Sequence, residues 1–223
     1  MKTTIAIPVF NEEKTIQKTI NQVKKLKIEK QIIVVDDGST DNSYKKLKKI
    51  PGIKLLKHEK NKGKGAAVKT ALKKATGDIF IIQDADLELN PKEIPKLTKP
   101  IINKKTGVVY GSRNRDKKDK NRYLLFYLGG VFITKLTNFL YKTNLTDVVC
   151  GFKAFKINII KDIKINENRF EWEVEVTAKI AKQKIPIFEV PVNVNSRSIK
   201  EGKKLTALDG IKTALALIKY KFK

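Results

Sequence analysis

The sequence predicts an α/β domain with a mostly parallel central sheet and helices on both faces. Three observations predict it. Near-continuous apolar runs, such as Ile79-Phe80-Ile81-Ile82, recur where strands buried on both sides would lie. Lysine-rich stretches of helical length separate them, in the order strand, helix, strand. Several of the runs end in acidic, glycine or small polar residues, and in open sheets ligands bind at those strand ends.

In chain order, Thr3–Val9 is expected as a strand, and Asn11-Glu12-Glu13 opens a helix to about Lys27. Gln31–Val35 is a second strand, running into Asp36-Asp37-Gly38-Ser39-Thr40-Asp41, where Asp41 suits the cap of a helix reaching Ile50. Pro51-Gly52 marks a turn, Ile53–His58 a third strand, and Lys62–Ala75 a helix. Ile79–Gln83 is the fourth strand, Pro91 starts a helix, and Val108–Tyr110 is the fifth strand. Beyond Gly111 the pattern changes: a charged loop over Arg113–Arg122, a helix over Leu124–Tyr141, a short strand at Phe152–Phe155 and a helix over Glu171–Lys182. Ile185–Val194 is expected as a strand, Asn195–Lys204 as a basic loop, and Leu205–Phe222 as a helix with apolar Leu208, Ile211, Leu215 and Ile218. No repeat or linker divides the chain, so one domain over residues 1–223 is expected.

Composition narrows the chemistry. One cysteine, Cys150, excludes an internal disulfide and a cysteine-based zinc site, and one histidine, His58, leaves little room for a histidine-based one. Cys150 is expected as a small buried residue, and His58 as a strand-end residue only. No run approaches the ~18 apolar residues of a membrane span, and no signal peptide is visible. The chain is therefore expected in the cytoplasm, peripheral on the cytosolic face of a membrane. The net charge of +25 fits a lysine-biased proteome or attraction to an anionic membrane surface. Nucleic-acid binding is not expected, because the lysines are spread over nearly every helix and no nucleic-acid motif appears. Only five of the 48 basic residues are arginine, Arg113, Arg115, Arg122, Arg169 and Arg197, and with lysine so plentiful these are places where a planar fork is required.

Four segments at successive strand ends carry chemical signals: Pro8-Val9-Phe10-Asn11-Glu12, Asp36-Asp37-Gly38-Ser39, Asn61-Lys62-Gly63-Lys64-Gly65, and Asp84-Ala85-Asp86-Leu87-Glu88. Small residues before a helix let backbone approach phosphate, and a helix N-terminus favours anions. Carboxylates at alternate positions of an extended segment point the same way, so Asp84, Asp86 and Glu88 repel one another unless something positive sits between them. A hard divalent cation, with sites left for phosphates, is the usual solution.

With these residues in this order, the chain resembles a family 2 glycosyltransferase of the GT-A fold, nearest to the dolichyl- or polyprenyl-phosphate sugar synthase branch. Val109-Tyr110-Gly111-Ser112-Arg113, Thr146-Asp147-Val148-Val149-Cys150-Gly151, Arg169–Ala178 and Glu189-Val190-Pro191-Val192 extend the resemblance over nearly the whole chain. It implies a nucleotide-sugar-binding half, residues 1–112, and an acceptor-side half, residues 113–223. Pro8, Phe10, Glu12, Val35, Asp37 and Lys62 would line the nucleotide pocket, with Asp84, Ala85 and Asp86 at ribose and diphosphate. Asp86 and Glu88 would hold Mg2+ or Mn2+. Arg113, Arg122 and Arg197, with Lys203 or Lys204, would meet donor and acceptor phosphates. Phe10 stands where relatives often have tyrosine, and Glu88 where some have glutamine.

The implied partners are a nucleotide sugar (GDP-mannose or a UDP-sugar), polyprenyl or dolichyl phosphate, a membrane surface and a membrane-anchoring subunit. A sugar hydroxyl acceptor would need a general base, with Asp147 the first choice and Glu173 the second. The bland expectation is a turn cap for Asp147 and an exposed or partly paired acid for Glu173. A non-catalytic binding module for nucleotide sugar or lipid phosphate is the alternative from another class.

Overall fold

The computed structural model describes residues 1–115, 124–197, 204 and 206–223. The expectations for Arg122 and Lys203 lie outside the described residues, as does most of the Arg113–Arg122 loop. Strands β1 (Thr3–Val9), β2 (Lys30–Asp36), β3 (Lys54–Lys57) and β4 (Ile79–Ile82) pair in parallel. Helices α1 (Ile16–Lys24), α2 (Ser43–Leu47) and α3 (Lys64–Leu72) make their crossovers. A single 3-10 turn at Pro91–Glu93 then leads through α4 (Ile94–Ile102) to β5 (Val108–Ser112) and α5 (Leu124–Tyr141). The chain continues through β6 (Lys153–Lys156), α6 (Ile157–Asp162), α7 (Trp172–Lys182), β7 (Ile187–Pro191) and α8 (Ala207–Phe222). The described strands form one seven-stranded sheet in the order β3-β2-β1-β4-β6-β5-β7.

The apolar runs split by the two-residue pleat of a strand. Ile5, Ile7, Ile32, Val34, Ile79 and Ile81 pack on one face with Ile16, Ile20, Ile94 and Leu97 of α1 and α4. Ala6, Ile33, Val35, Phe80 and Ile82 pack on the other with Ala67, Val68, Trp172 and Val176 of α3 and α7. Both faces are thus covered, which is why these strands carry little polarity.

Helices α1, α2 and α3 are shorter than their periodicity suggests. Asn11 takes a left-handed backbone, φ 50°, and its side chain accepts the Thr40 N–H at 2.8 Å, so α1 starts only at Ile16. Asp41 receives the Ser43 N–H at 2.8 Å where α2 begins. One strand departs from the parallel pattern: β6 runs antiparallel to both β4 and β5. Its N-terminal end therefore lies at the carboxyl edge of its neighbours, which delivers the loop 146–152 to the ligand edge of the sheet. The helix α6 has no counterpart in the sequence expectations.

A third layer lies outside α7. Ile133 and Tyr141 of α5 and Ala216, Leu217 and Tyr220 of α8 pack against Val174 and Ala178. The apolar stripe of α8, Leu208, Ile211, Leu215 and Ile218, is exposed, together with Phe222. On α5, Leu128, Phe132 and Phe139 are exposed as well.

Glycines serve close packing beside α3. Gly63 has φ 99°, and a Cβ there would lie 2.4 Å from the Asn168 carbonyl oxygen. Gly52 shares a positive φ, 71°, but nothing lies within 4 Å of its Cβ position. Gly52→Ala should cost about 1 kcal/mol, the backbone term alone. Gly63→Ala should cost about 1–3 kcal/mol more through displacement of the 166–169 segment. Urea unfolding of the two variants checks the difference.

Candidate active site

The carboxylate segment leaves β4 at Ile82 and forms a turn, not an extended continuation of the strand. Leu87 is left-handed, φ 65°, and the Gln83 amide clamps the turn by donating to the carbonyls of Asp84 and Leu89 at 3.0 and 2.9 Å. Pleat alternation therefore does not arrange the three acids. Asp84 turns to Lys64, Oδ1 to Nζ 2.8 Å, and that ammonium is the positive group beside it. Asp86 and Glu88 stay together, with the Glu88 N–H on Asp86 Oδ1 at 3.0 Å. Burial, and then the charges of Asp84 and Glu88, push the Asp86 carboxyl up to about 7. Ala85 is buried, and its carbonyl accepts from Thr19 Oγ1 at 3.0 Å.

Lys64 leads to a second buried carboxylate, Glu173 on α7, at 3.0 Å. The other oxygen of Glu173 meets Lys153 Nζ at 3.1 Å, and Lys153 is wholly buried at the start of β6. Glu173 is thus a buried, doubly paired group, not an exposed helix acid. Burial would raise its carboxyl, but Lys153 and Lys64 outweigh that and hold it below the usual range.

Asp147, from the loop delivered by β6, binds Arg113 with both oxygens: Oδ2 to Nε 2.6 Å and Oδ1 to Nη2 2.8 Å. It also accepts the Arg113 N–H at 3.0 Å. Burial alone would raise this carboxyl; the Arg113 guanidinium and its hydrogen bonds instead hold it below the usual range. Removing one partner of such a pair costs about 3–5 kcal/mol, so Asp147 is more than a turn cap. Glu189 on β7 accepts the Thr146 and Asp147 N–H groups at 2.9 and 3.0 Å and so fixes the loop that carries Asp147.

On the other side of the carboxylate turn, Glu12 collects two cations. Arg197 Nη1 lies 3.1 Å from Glu12 Oε2, and Lys204 Nζ 2.7 Å from Oε1. The Arg197 N–H donates to Glu88 Oε1 at 2.9 Å, and its guanidinium donates to the Asp86 carbonyl. Lys204 also donates to the Phe10 carbonyl and stands 5.7 Å above the Phe10 ring. Phe10, Glu12, Asp86, Glu88, Arg197 and Lys204 thus converge on one place, and Lys204 is the lysine of the expected pair that lies among the described residues.

Other expected residues serve differently. Asp37 accepts the N–H groups of Lys62 and Gly63 at 3.0 and 2.7 Å and pairs with His58 Nδ1 at 2.6 Å. His58 also meets Thr70 Oγ1 at 2.9 Å, so it ties a loop to α3 instead of merely ending a strand. Val35 is a fully buried core residue facing α3, and its side chain offers no surface to a ligand. Pro8 is half-buried at the end of β1, and the Lys62 side chain is exposed. The glycines beside Lys64 do not open a phosphate cradle, because the Asn168 carbonyl already accepts the Ala66 N–H at 3.0 Å in the first turn of α3. Cys150 is buried, with its thiol pushed up to about 12 by burial and by Asp147.

The donor set suits a hard divalent cation. Among the described residues no three His, Cys, Asp or Glu side chains converge as a ready cage, because Asp84 is taken by Lys64. Two crowded carboxylates remain, and Mg2+-like ions are held by one or two carboxylates plus substrate phosphates. The roles of Lys64 and Lys153 went unread in the sequence. A lysine inside the apolar Val148–Phe155 run was the available signal for Lys153.

This sheet order, with acids and cations gathered at its carboxyl edge, is that of the GT-A fold. The glycosyl transferase family 2 profile matches residues 4–164, and the chain belongs to that family. It is 34% identical over 210 residues to UDP-N-acetylglucosamine–dolichyl-phosphate N-acetylglucosaminyltransferase of Methanococcus voltae, covering 84% of this chain and 83% of that one. It is 28% identical to dolichol-phosphate mannosyltransferase of Pyrococcus furiosus, over 91% of this chain and 59% of that protein. Among solved structures, glucosyl-3-phosphoglycerate synthase from Mycobacterium tuberculosis with UDP superposes at a TM-score of 0.79 and 18% identity, covering 100% of this chain and 80% of that one. The same enzyme with Mn2+, UDP and phosphoglyceric acid gives 0.76 at 19%, covering 99% and 78%. The enzyme is a glycosyltransferase, as the sequence implies.

The Asp86 carboxyl, ordinary near 3.8 when unfolded, is raised to about 7 in the fold. The folded state then holds a proton that the unfolded state has lost, so stability falls as pH rises across that window. In metal-free buffer Asp86→Asn should gain thermal stability over the unsubstituted protein between pH 5 and 8, with the gap widening as pH rises. Scanning calorimetry checks it; a constant gap would contradict it.

Proposed function

We propose that this enzyme transfers one sugar from a nucleotide sugar to a polyprenyl or dolichyl phosphate, with inversion at the anomeric carbon and dependence on a divalent cation. The relatives named above act on dolichyl phosphate, and the observation that carries the reading is the engagement of both candidate bases. A hydroxyl acceptor needs a group able to take its proton near neutral pH. Asp147 has both oxygens on Arg113, and Glu173 has both on lysines. Both are held below the usual carboxylate range, which suits neither for that task. An acceptor phosphate, with a second pKa of about 6, is already anionic and needs no base.

In the reaction, an acceptor phosphate oxygen forms a bond to the anomeric carbon as that carbon's bond to the diphosphate oxygen breaks. The electron pair leaves with the nucleoside diphosphate. Asp86 and Glu88 would hold Mg2+ or Mn2+, which supplies a Lewis acid for the departing diphosphate. Arg197 and Lys204, stored on Glu12, are the cations available to the phosphates. Arg113 is the cation of the acceptor side, kept in place by Asp147. Asp37, through the backbone of Lys62 and Gly63, shapes the nucleotide end of the pocket.

The acceptor also places the enzyme at a lipid surface. Among the described residues no helix is long and apolar enough to cross a membrane. The stripe Leu208, Ile211, Leu215, Ile218 and Phe222 faces away from the core, and Phe132 and Phe139 of α5, which packs on α8, are exposed as well. Lys212, Lys219, Lys221 and Lys223 accompany it. Exposed apolar residues flanked by lysines fit a helix lying in an anionic interface, and a membrane-anchoring subunit would use the same face.

Purified protein given GDP-mannose, UDP-glucose or UDP-N-acetylglucosamine, with polyprenyl phosphate and Mg2+ or Mn2+, should form a lipid-linked sugar phosphate. Asp86→Ala should lower turnover roughly a hundredfold or more. Product on a sugar hydroxyl, or none with any donor, rejects the reading. The protein should sediment with anionic but not neutral vesicles, and Leu215→Asp with Phe139→Asp should weaken that roughly tenfold.

A further inference from the structure

We infer that Glu173 is a positioning residue for the donor: through two lysines it fixes the Asp84 carboxylate and the loop that abuts it. The inference rests on the transferase reading above and adds to it a group that touches neither substrate. The two arms leave one carboxylate. Oε1 holds Lys64 Nζ at 3.0 Å, and Lys64 holds Asp84 Oδ1 at 2.8 Å. Oε2 holds Lys153 Nζ at 3.1 Å, and Lys153 also donates to the carbonyls of Val148 and Cys150 at 2.9 and 2.6 Å.

The arms meet again at Asp84. The next residue after Cys150 is Gly151, and a Cβ on it would stand 2.3 Å from Asp84 Oδ2. Asp84 is therefore gripped on one oxygen by Lys64 and walled on the other by the backbone that Lys153 pins. Two acids and two lysines make this ring neutral. A buried ion network contributes little to stability compared with an apolar core of the same volume, so stability does not account for it. It stands directly behind the turn that carries Asp86 and Glu88, and supporting groups of that kind set the orientation of the groups they hold. Glu173 also lies in the first turn of α7, where the helix dipole favours a carboxylate.

The test separates placement from charge. Nucleoside diphosphate binding to the purified chain, with saturating Mn2+, is measured by titration calorimetry with UDP and GDP. Loss of a negative charge in Glu173→Gln would by itself tighten an anionic ligand. Loss of placement weakens it. We expect Glu173→Gln and Lys64→Met each to raise the Kd roughly tenfold or more. The double variant should fall short of the product of the two single losses, because the Lys64 arm is common to both. Unchanged or tighter binding by Glu173→Gln, or losses that multiply in the double variant, would overturn the inference. If Glu173→Gln does not fold, Glu173→Asp decides, because it keeps the charge and shortens the reach to both lysines: wild-type affinity overturns the inference and weakened affinity supports it. Wild-type protein that binds nucleotide but transfers no sugar sinks the transferase reading alone. Wild-type protein that binds neither UDP nor GDP overturns both.

Discussion

A charge removed from water must find its opposite, and at the carboxyl edge of this sheet that requirement decides which acids can do chemistry. Asp84, Asp147 and Glu173 are each matched by a lysine or arginine within 3.1 Å. Asp86 and Glu88 lack such a close cationic side chain among the described residues, and Asp86 answers by holding its proton to about 7. The site's electrostatics are thus divided. Matched acids stiffen the walls, and the unmatched pair keeps an appetite for positive charge.

The fold supplies that division through one reversed strand. With β6 antiparallel between β4 and β5, Lys153 and the loop bearing Asp147 arrive at the same edge as the carboxylate turn. A fully parallel sheet would start that strand at the far edge. The third layer of α5 and α8 then covers α7, which carries Glu173, and turns a second apolar face outward. Those two helices thereby cover α7 and leave exposed apolar residues of their own.

The two cations proposed for the phosphates are held on a carboxylate. Arg197 and Lys204 share Glu12, and the Arg197 backbone caps Glu88. A carboxylate that neutralises two cations keeps them beside the proposed diphosphate position without leaving buried charge uncompensated. Donor phosphates would compete with Glu12 for the same donors, so binding exchanges one anion for another.

The sequence alone determined the alternation of strands and helices, because pleat and helix periods are local: Ile79–Ile82 splits its residues between two cores as expected of a strand buried on both faces. It also determined the family, since the motifs at successive strand ends stand in order along the chain. Only the tertiary structure decided what those motifs do. Lys64 and Glu173 are 109 residues apart, and Arg113 and Asp147 are 34 apart, so no local pattern pairs them. The glycines beside Lys64 read as a phosphate cradle and instead admit the Asn168 carbonyl. The stripe on α8 is legible as an apolar face, and only the packing of α5 and α8 on α7 decides that it lies outside. In each case periodicity fixes which residues share a face, and the neighbouring chain segment fixes what that face meets.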